Sequence, residues 1–154
     1  MSFPPLVHYK TTNEYRKHYE RIYCRGPILT FDKIPVWFIK SRFKHNFGES
    51  SKRDGCKDIF SVTRLERINW IKSTLQNPIA DLYCGWDKFK RRHDPTRRVA
   101  VIYDDYVVVI WLKWKQNGTL EGQFVTAYVA DNSIEKIRCS PSSKGTFGKD
   151  RDAN

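Results

Sequence analysis

The apolar positions of this chain change period midway along it. In the first half they recur at helical spacing. Tyr15, Tyr19, Ile22 and Tyr23 stand at i, i+4, i+7 and i+8 behind Thr11-Thr12-Asn13-Glu14, an N-cap with Glu three residues on, and predict a short helix that Gly26-Pro27 stops. Residues 28–31 and 35–39 flank Asp32-Lys33 as two short strands of a hairpin. Residues 41–49, with Phe43 and Phe47 at i, i+4, predict a second short helix, and 50–57 form a polar loop that turns at Asp54-Gly55. The strongest helix is expected over 63–76. Thr63 and Glu66 there have capping-box spacing, Leu65, Ile68, Ile71 and Leu75 share one face, and Asn77-Pro78 closes the segment.

The second half reads as strands. Residues 81–86 come first, then a polar loop over 87–96, then 98–103, 106–115 and 122–130, all rich in Val, Ile, Tyr and Trp. Asn117-Gly118 joins the last two as a hairpin signal. The run 107–112 is continuously apolar, as a central strand covered on both faces would be, and 134–138 adds a final edge strand. The expectation is one α+β domain over 1–139, with N-terminal helices packed on a mostly antiparallel sheet of four to five strands. The Ser/Gly/Lys/Asp-rich stretch 140–154 is expected to be a disordered polar tail.

Composition narrows the class of partner. A chain of 154 residues with 14% aromatics can build a core without disulfides or metals. No apolar run approaches the roughly 18 residues of a membrane span, and Met1-Ser2-Phe3-Pro4-Pro5 lacks the basic and apolar parts of a secretory signal. Cys24, Cys56, Cys84 and Cys139 include no CxxC pair, so free thiols in a reducing cytoplasm are expected. The 28 Lys and Arg against 17 Asp and Glu give a formal charge of +11, which favours a polyanion, above all nucleic acid, and no membrane.

The charge falls in three places: 40–57, 88–98 and the C-terminal end from Lys136. Lys44, Arg53 and Lys57 belong to the first, and Arg91, Arg92, Arg97 and Arg98 to the second. Without special spacing, these point to phosphate-backbone contact and not to base readout. Arg64 stands apart, aimed along the apolar stripe of the 63–76 helix. There it must snorkel to the rim, join a structural ion pair or meet a substrate phosphate. Of the four histidines, His8 and His18 are expected at the surface, His8 in an unstructured start, and His93 lies in a basic loop. His45, between Lys44 and Asn46 and ahead of a basic loop, is the titratable group best placed for acid–base work on RNA. No P-loop, dinucleotide-binding, HExxH or GxSxG motif is present, and Asp104-Asp105 reads as a turn.

The ordered run His45…Glu49-Ser50-Ser51…Arg53…Phe60…Arg64…Glu66-Arg67-Ile68…Trp70-Ile71…Leu75…Pro78, the two strands 99–103 and 107–112, and Phe124-Val125-Thr126-Ala127-Tyr128 together resemble phage- and mobile-element-associated relatives of the barnase–EndoU–colicin–RelE ribonuclease superfamily. The resemblance spans about residues 40–130. It implies a barnase/RelE-like fold and RNA endonuclease activity without metal or cofactor. It further implies a core over about 40–138, a possible toxin role and a cognate inhibitor. On this resemblance His45 is the general acid or base, Arg64 and Arg53 are phosphate ligands, and Thr126 and Tyr128 are hydroxyl donors on one strand face. Many such relatives carry a second histidine soon after the first. Ser51-Lys52-Arg53-Asp54-Gly55 stands there instead, so Glu49, Lys57 or Tyr128 would complete the acid–base pair. The rival expectations are a non-catalytic nucleic-acid-binding accessory protein and an interaction module for an acidic protein partner.

Overall fold

A computed structural model describes residues 3–49, 59–87, 92–130 and 133–138. Its first helix, α1 (Thr12–Ile22), begins as the sequence predicts, with Thr11 Oγ1 accepting from Glu14 N at 3.3 Å. Tyr15, Tyr19 and Tyr23 are buried, but the fourth inward position is His18 and not Ile22, which is 39% exposed. A hairpin follows, β1 (Ile28–Leu29) and β2 (Pro35–Trp37), whose turn places Lys33 at φ 70°. A turn of 3-10 helix, Lys40–Arg42, leads into α2 (Phe43–Phe47).

Two short strands, β3 (Gly48–Glu49) and β4 (Ile59–Phe60), pair antiparallel and hold together the two ends of segment 50–58. The expected 63–76 helix is two helices, α3 (Val62–Glu66) and α4 (Ile68–Leu75), broken at Arg67. Its cap is also not Thr63. Ser61 Oγ accepts from Arg64 N at 3.3 Å, so the helix starts earlier, and Leu65, Ile68, Ile71 and Leu75 still form one buried face.

The C-terminal half is β5 (Asp81–Asp87), β6 (Arg92–Tyr103), β7 (Tyr106–Trp114), β8 (Leu120–Val129) and α5 (Ser133–Arg138). Much of the expected polar loop is therefore strand, because β5 and β6 continue their pairing to Asp87 opposite Arg92 past an irregularity after Cys84. Residues 134–138 are helix and not edge strand. Ile134 and Ile137, three apart, lie on one side of α5 against Val107 and Ile102. The β7–β8 connection is a loop with Gly118 at φ 84° and Gly118 N donating to Lys115 O at 3.0 Å, the geometry in which glycine takes the left-handed position after a type I turn.

Among the described residues the main sheet has six strands, not four to five, in the order β1-β2-β8-β7-β6-β5. It is mixed: β2 pairs with β8 in parallel, and the other pairs are antiparallel. The fold is α+β, as expected.

The inner sheet face and the helices enclose the main core, in which Tyr19 packs against Phe43 and Phe47 with ring centres 5.4 and 5.6 Å apart and Phe38 stacks on Phe124 at 4.7 Å. A smaller cluster on the outer face, under α5, joins Ile102, Val107 and Ala130 with Tyr83, Val109 and Tyr128. β7 is thus covered on both faces only over its first half. The start of the chain is irregular but anchored: Phe3 stacks on Trp70 at 4.0 Å, Trp70 Nε1 donates to Pro4 O at 2.7 Å, and Val7 N donates to Glu66 O at 2.8 Å. No described helix is long and apolar enough to cross a membrane.

Candidate active site

β2 pairs with β8 only at Gly122 and Gln123, so the backbone edge of β8 beyond them needs another partner. α2 supplies it. Phe43 and Phe47 seat the helix on the core, and Asn46, fully buried between them, faces β8. With its amide oriented to suit the surrounding carbonyls, Asn46 Nδ2 donates to Val125 O at 2.7 Å and to Arg42 O at 3.3 Å. Its Oδ1 then accepts from the Tyr19 hydroxyl at 3.0 Å. Thr126 Oγ1 donates to Asn46 O at 2.8 Å. α3 is tied to the end of α2 by Ser61 N donating to Phe47 O at 2.9 Å.

These contacts bring Arg64 to the same place. Its Nη1 donates to Gly48 O at 3.0 Å and to Thr126 Oγ1 at 3.1 Å. The guanidinium carbon lies 5.5 Å from the centre of the Tyr128 ring. Burial pushes the Arg64 pKa below its ordinary value, while the Glu49 carboxylate, followed by Tyr128 and Tyr106, acts in the opposite direction. A guanidinium remains a cation through the physiological range regardless. Arg64, Thr126, Tyr128 and Glu49, four residues from three separate elements, therefore converge at the junction of α3, β3 and β8. The site is a half-buried cation flanked by two hydroxyls and a carboxylate, an arrangement suited to an anion such as a phosphate.

His45 lies one residue before Asn46 on α2 and is half-buried. At about 100° per residue it stands roughly 200° round the helix from Phe43, away from the core-facing side. Lys44 and Glu49 are exposed. Arg53, Lys57 and Arg91 lie outside the described residues. Arg92, Arg97 and Arg98 fall on β6, where Arg92 pairs with Asp87 and Arg98 with Trp111 in the backbone register. Among the described residues no group of three or more His, Cys, Asp or Glu side chains is disposed to hold a metal ion.

Two features escaped sequence reasoning. Asn46 joins α1, α2 and β8, yet nothing about a lone Asn beside a histidine signals it. His18 is buried and not at the surface: its Nδ1 lies 2.9 Å from the Tyr9 hydroxyl and its Nε2 2.8 Å from Asn69 Oδ1. An amide oxygen only accepts, so Nε2 carries the proton, and Nδ1 accepts from Tyr9. Burial holds the His18 pKa below its usual value, aided by nearby Arg21 and opposed by the Asn69 bond. The signal for His18 was its place one turn from Tyr15 and Tyr19, on their face.

No protein-family model matches the chain, and no curated protein or solved structure matches it either.

Proposed function

We propose that this protein is a metal-independent RNA endonuclease with a barnase/RelE-like sheet, and that the Arg64 junction is its reaction centre. The observation that carries this reading is the convergence of Arg64, Thr126 and Tyr128, which lie far apart in sequence, on one half-buried spot of a chain with a formal charge of +11. In the proposed reaction a base removes the proton from a ribose 2′-hydroxyl and the oxygen attacks the adjacent phosphorus. The 5′-oxygen leaves with a proton from an acid, giving a 2′,3′-cyclic phosphate and a free 5′-hydroxyl. Arg64 holds the charge that accumulates on the phosphorane, the contribution that is usually largest in such sites. His45 is one acid–base group, and Glu49, Tyr128 or Lys57 is the other.

Thr126 has a narrower role than a phosphate donor. Its hydroxyl proton is given to Asn46 O, and its oxygen receives Arg64, so it positions the guanidinium. The same saturation favours a second reading, in which Arg64 is only a strut between β3, α3 and β8 and the protein binds nucleic acid without cutting it.

Cleavage separates the two. Labelled RNA incubated with the protein in EDTA between about pH 5 and 8, the range in which a histidine titrates, should yield cyclic-phosphate ends, and His45→Ala should slow the rate by about 100-fold. Intact RNA throughout that range would select the binding-only reading.

A further inference from the structure

The outer face of the sheet has two unlike ends. α5 covers the end built from Val107, Tyr128 and Ile102. The other end carries two large, exposed indoles: Trp37 at 41% and Trp111 at 38%. Backbone register sets their arrangement. Trp37 on β2 pairs with Gln123 on β8, and Gln123 pairs with Trp111 on β7, so two tryptophans flank an amide across three adjacent strands. Two strand spacings put their backbones roughly 10 Å apart. With Ile39, Lys113, Trp114 and Glu121 they line an open groove of about 720 Å³.

We propose that this groove is a stacking platform for unpaired bases of single-stranded nucleic acid. Exposed indoles on a sheet offer flat faces to bases of any sequence, and the central amide of Gln123 can hydrogen-bond a base edge. The surrounding charge selects a polyanion over a neutral or acidic protein. The chain carries +11, and Lys113 and Lys115 both reach Glu121, at 3.5 and 3.7 Å, so the one carboxylate lining the groove among the described residues is offset twice. β6, which adjoins Trp111, carries Arg97 and Arg98, the latter in register with Trp111. Along β8 the platform leads to the Arg64 junction, since Gln123 and Thr126 are three residues apart, roughly 10 Å of extended strand. The platform rests on the nucleic-acid reading above for its polyanion, but it does not require cleavage.

The test therefore uses DNA, which lacks the 2′-hydroxyl and cannot undergo the proposed reaction. Fluorescein-labelled oligothymidylate is titrated with the full chain by anisotropy, with intrinsic tryptophan emission followed in parallel and a duplex of equal length as comparison. The wild type should bind the single strand with quenching of tryptophan emission, and the duplex about tenfold more weakly. Trp37→Ala and Trp111→Ala should each weaken binding about tenfold, while Trp111→Phe, which keeps a stacking ring, should stay within about threefold. The quenching needs no variant, so it stands if an alanine variant misfolds. Tyr9→Phe, whose hydroxyl meets His18 and which lines neither the groove nor the Arg64 junction, should retain binding. Unchanged affinity in folded alanine variants would overturn the platform. So would preference for duplex, absence of quenching, or sedimentation showing a dimer that Trp111→Ala dissociates. RNA left uncut while these results hold would remove the endonuclease and leave the platform standing.

Discussion

Two polar knots sit within the apolar body of this protein, and they are built on opposite principles. The first joins Tyr9, His18 and Asn69, tying the N-terminal segment and α1 to α4. It is neutral, and both ring nitrogens of its histidine have partners of the right kind, which is what a buried polar group needs to be tolerated. The second joins Asn46, Thr126 and Arg64, tying α2 and α3 to β8. It brings a permanent cation to the rim of the core, with an aromatic ring and a carboxylate beside it but, among the described residues, without the close bidentate acid that a purely structural arginine commonly takes. The first knot is complete without a ligand. On the proposed reading, the second is completed by the phosphate of a substrate.

This contrast predicts that breaking the two knots damages different properties. The largest effect should come from Arg64→Met, which keeps much of the apolar stem and removes the charge. RNA cleavage should fall by about 100-fold or more, as when one transition-state charge donor is lost. Replacing His18 with leucine should leave cleavage within about threefold once the protein is folded, because the first knot is remote from phosphate chemistry. If both variants lose cleavage in proportion to their thermal midpoints, the distinction between the knots fails.

Asn46→Leu should give the largest loss of stability. It strips the side-chain partner from Val125 O inside the core, while the Tyr19 hydroxyl still donates to Ile39 O, at a cost of about 2 kcal/mol, since an unsatisfied buried group costs about 1–3 kcal/mol. For a chain of this size that is a fall in thermal midpoint of roughly 4–8 °C by calorimetry. A midpoint within a degree of the wild type would mean that Asn46 does not hold α2 to β8.

A smaller and pH-dependent effect belongs to the first knot. His18 has a folded-state pKa below its unfolded value of about 6.5, so the unfolded chain binds more protons between the two. Stability is therefore fully present above about pH 6.5 and is lost as pH falls through the folded pKa. The midpoint of the wild type should drop on acidification from neutrality, and the drop should shrink in His18→Gln. An equal slope in both would place the acid sensitivity elsewhere. Smallest of all, Tyr9→Phe removes one hydrogen bond, for about 1 kcal/mol at neutral pH, and should flatten the same acid limb because the lost hydroxyl required an unprotonated Nδ1.

Much of the fold was legible because it follows from spacing. The Thr11 cap, the tyrosine repeat of α1, the buried stripe of α3 and α4, and the strands of the second half all emerge from periodicity and turn residues. Of the features that did not, three show why. The break at Arg67 leaves the apolar period intact, so the stripe conceals it. The parallel β2–β8 pairing is a long-range choice with no local mark. The run 107–112 gave no warning that cover ends at Trp111, although the change from valine to tryptophan, followed by Lys113, is where the outer face opens. At the candidate site, Arg64 was conspicuous because a cation on an apolar face is costly unless it meets something. The partners that decide its meaning, Gly48 O and Thr126, lie 16 and 62 residues away, which no pattern along the chain connects.

The central claim is that the Arg64 knot is a reaction centre. The measurement that bears on it most directly is the single-turnover rate of RNA cleavage in EDTA by the wild type and by Arg64→Met, each taken with its thermal midpoint. Cleavage by the wild type and a loss of about 100-fold in a variant that remains folded is the predicted result. A wild type that leaves RNA intact, or a folded variant that cuts within about twofold of the wild-type rate, would contradict it.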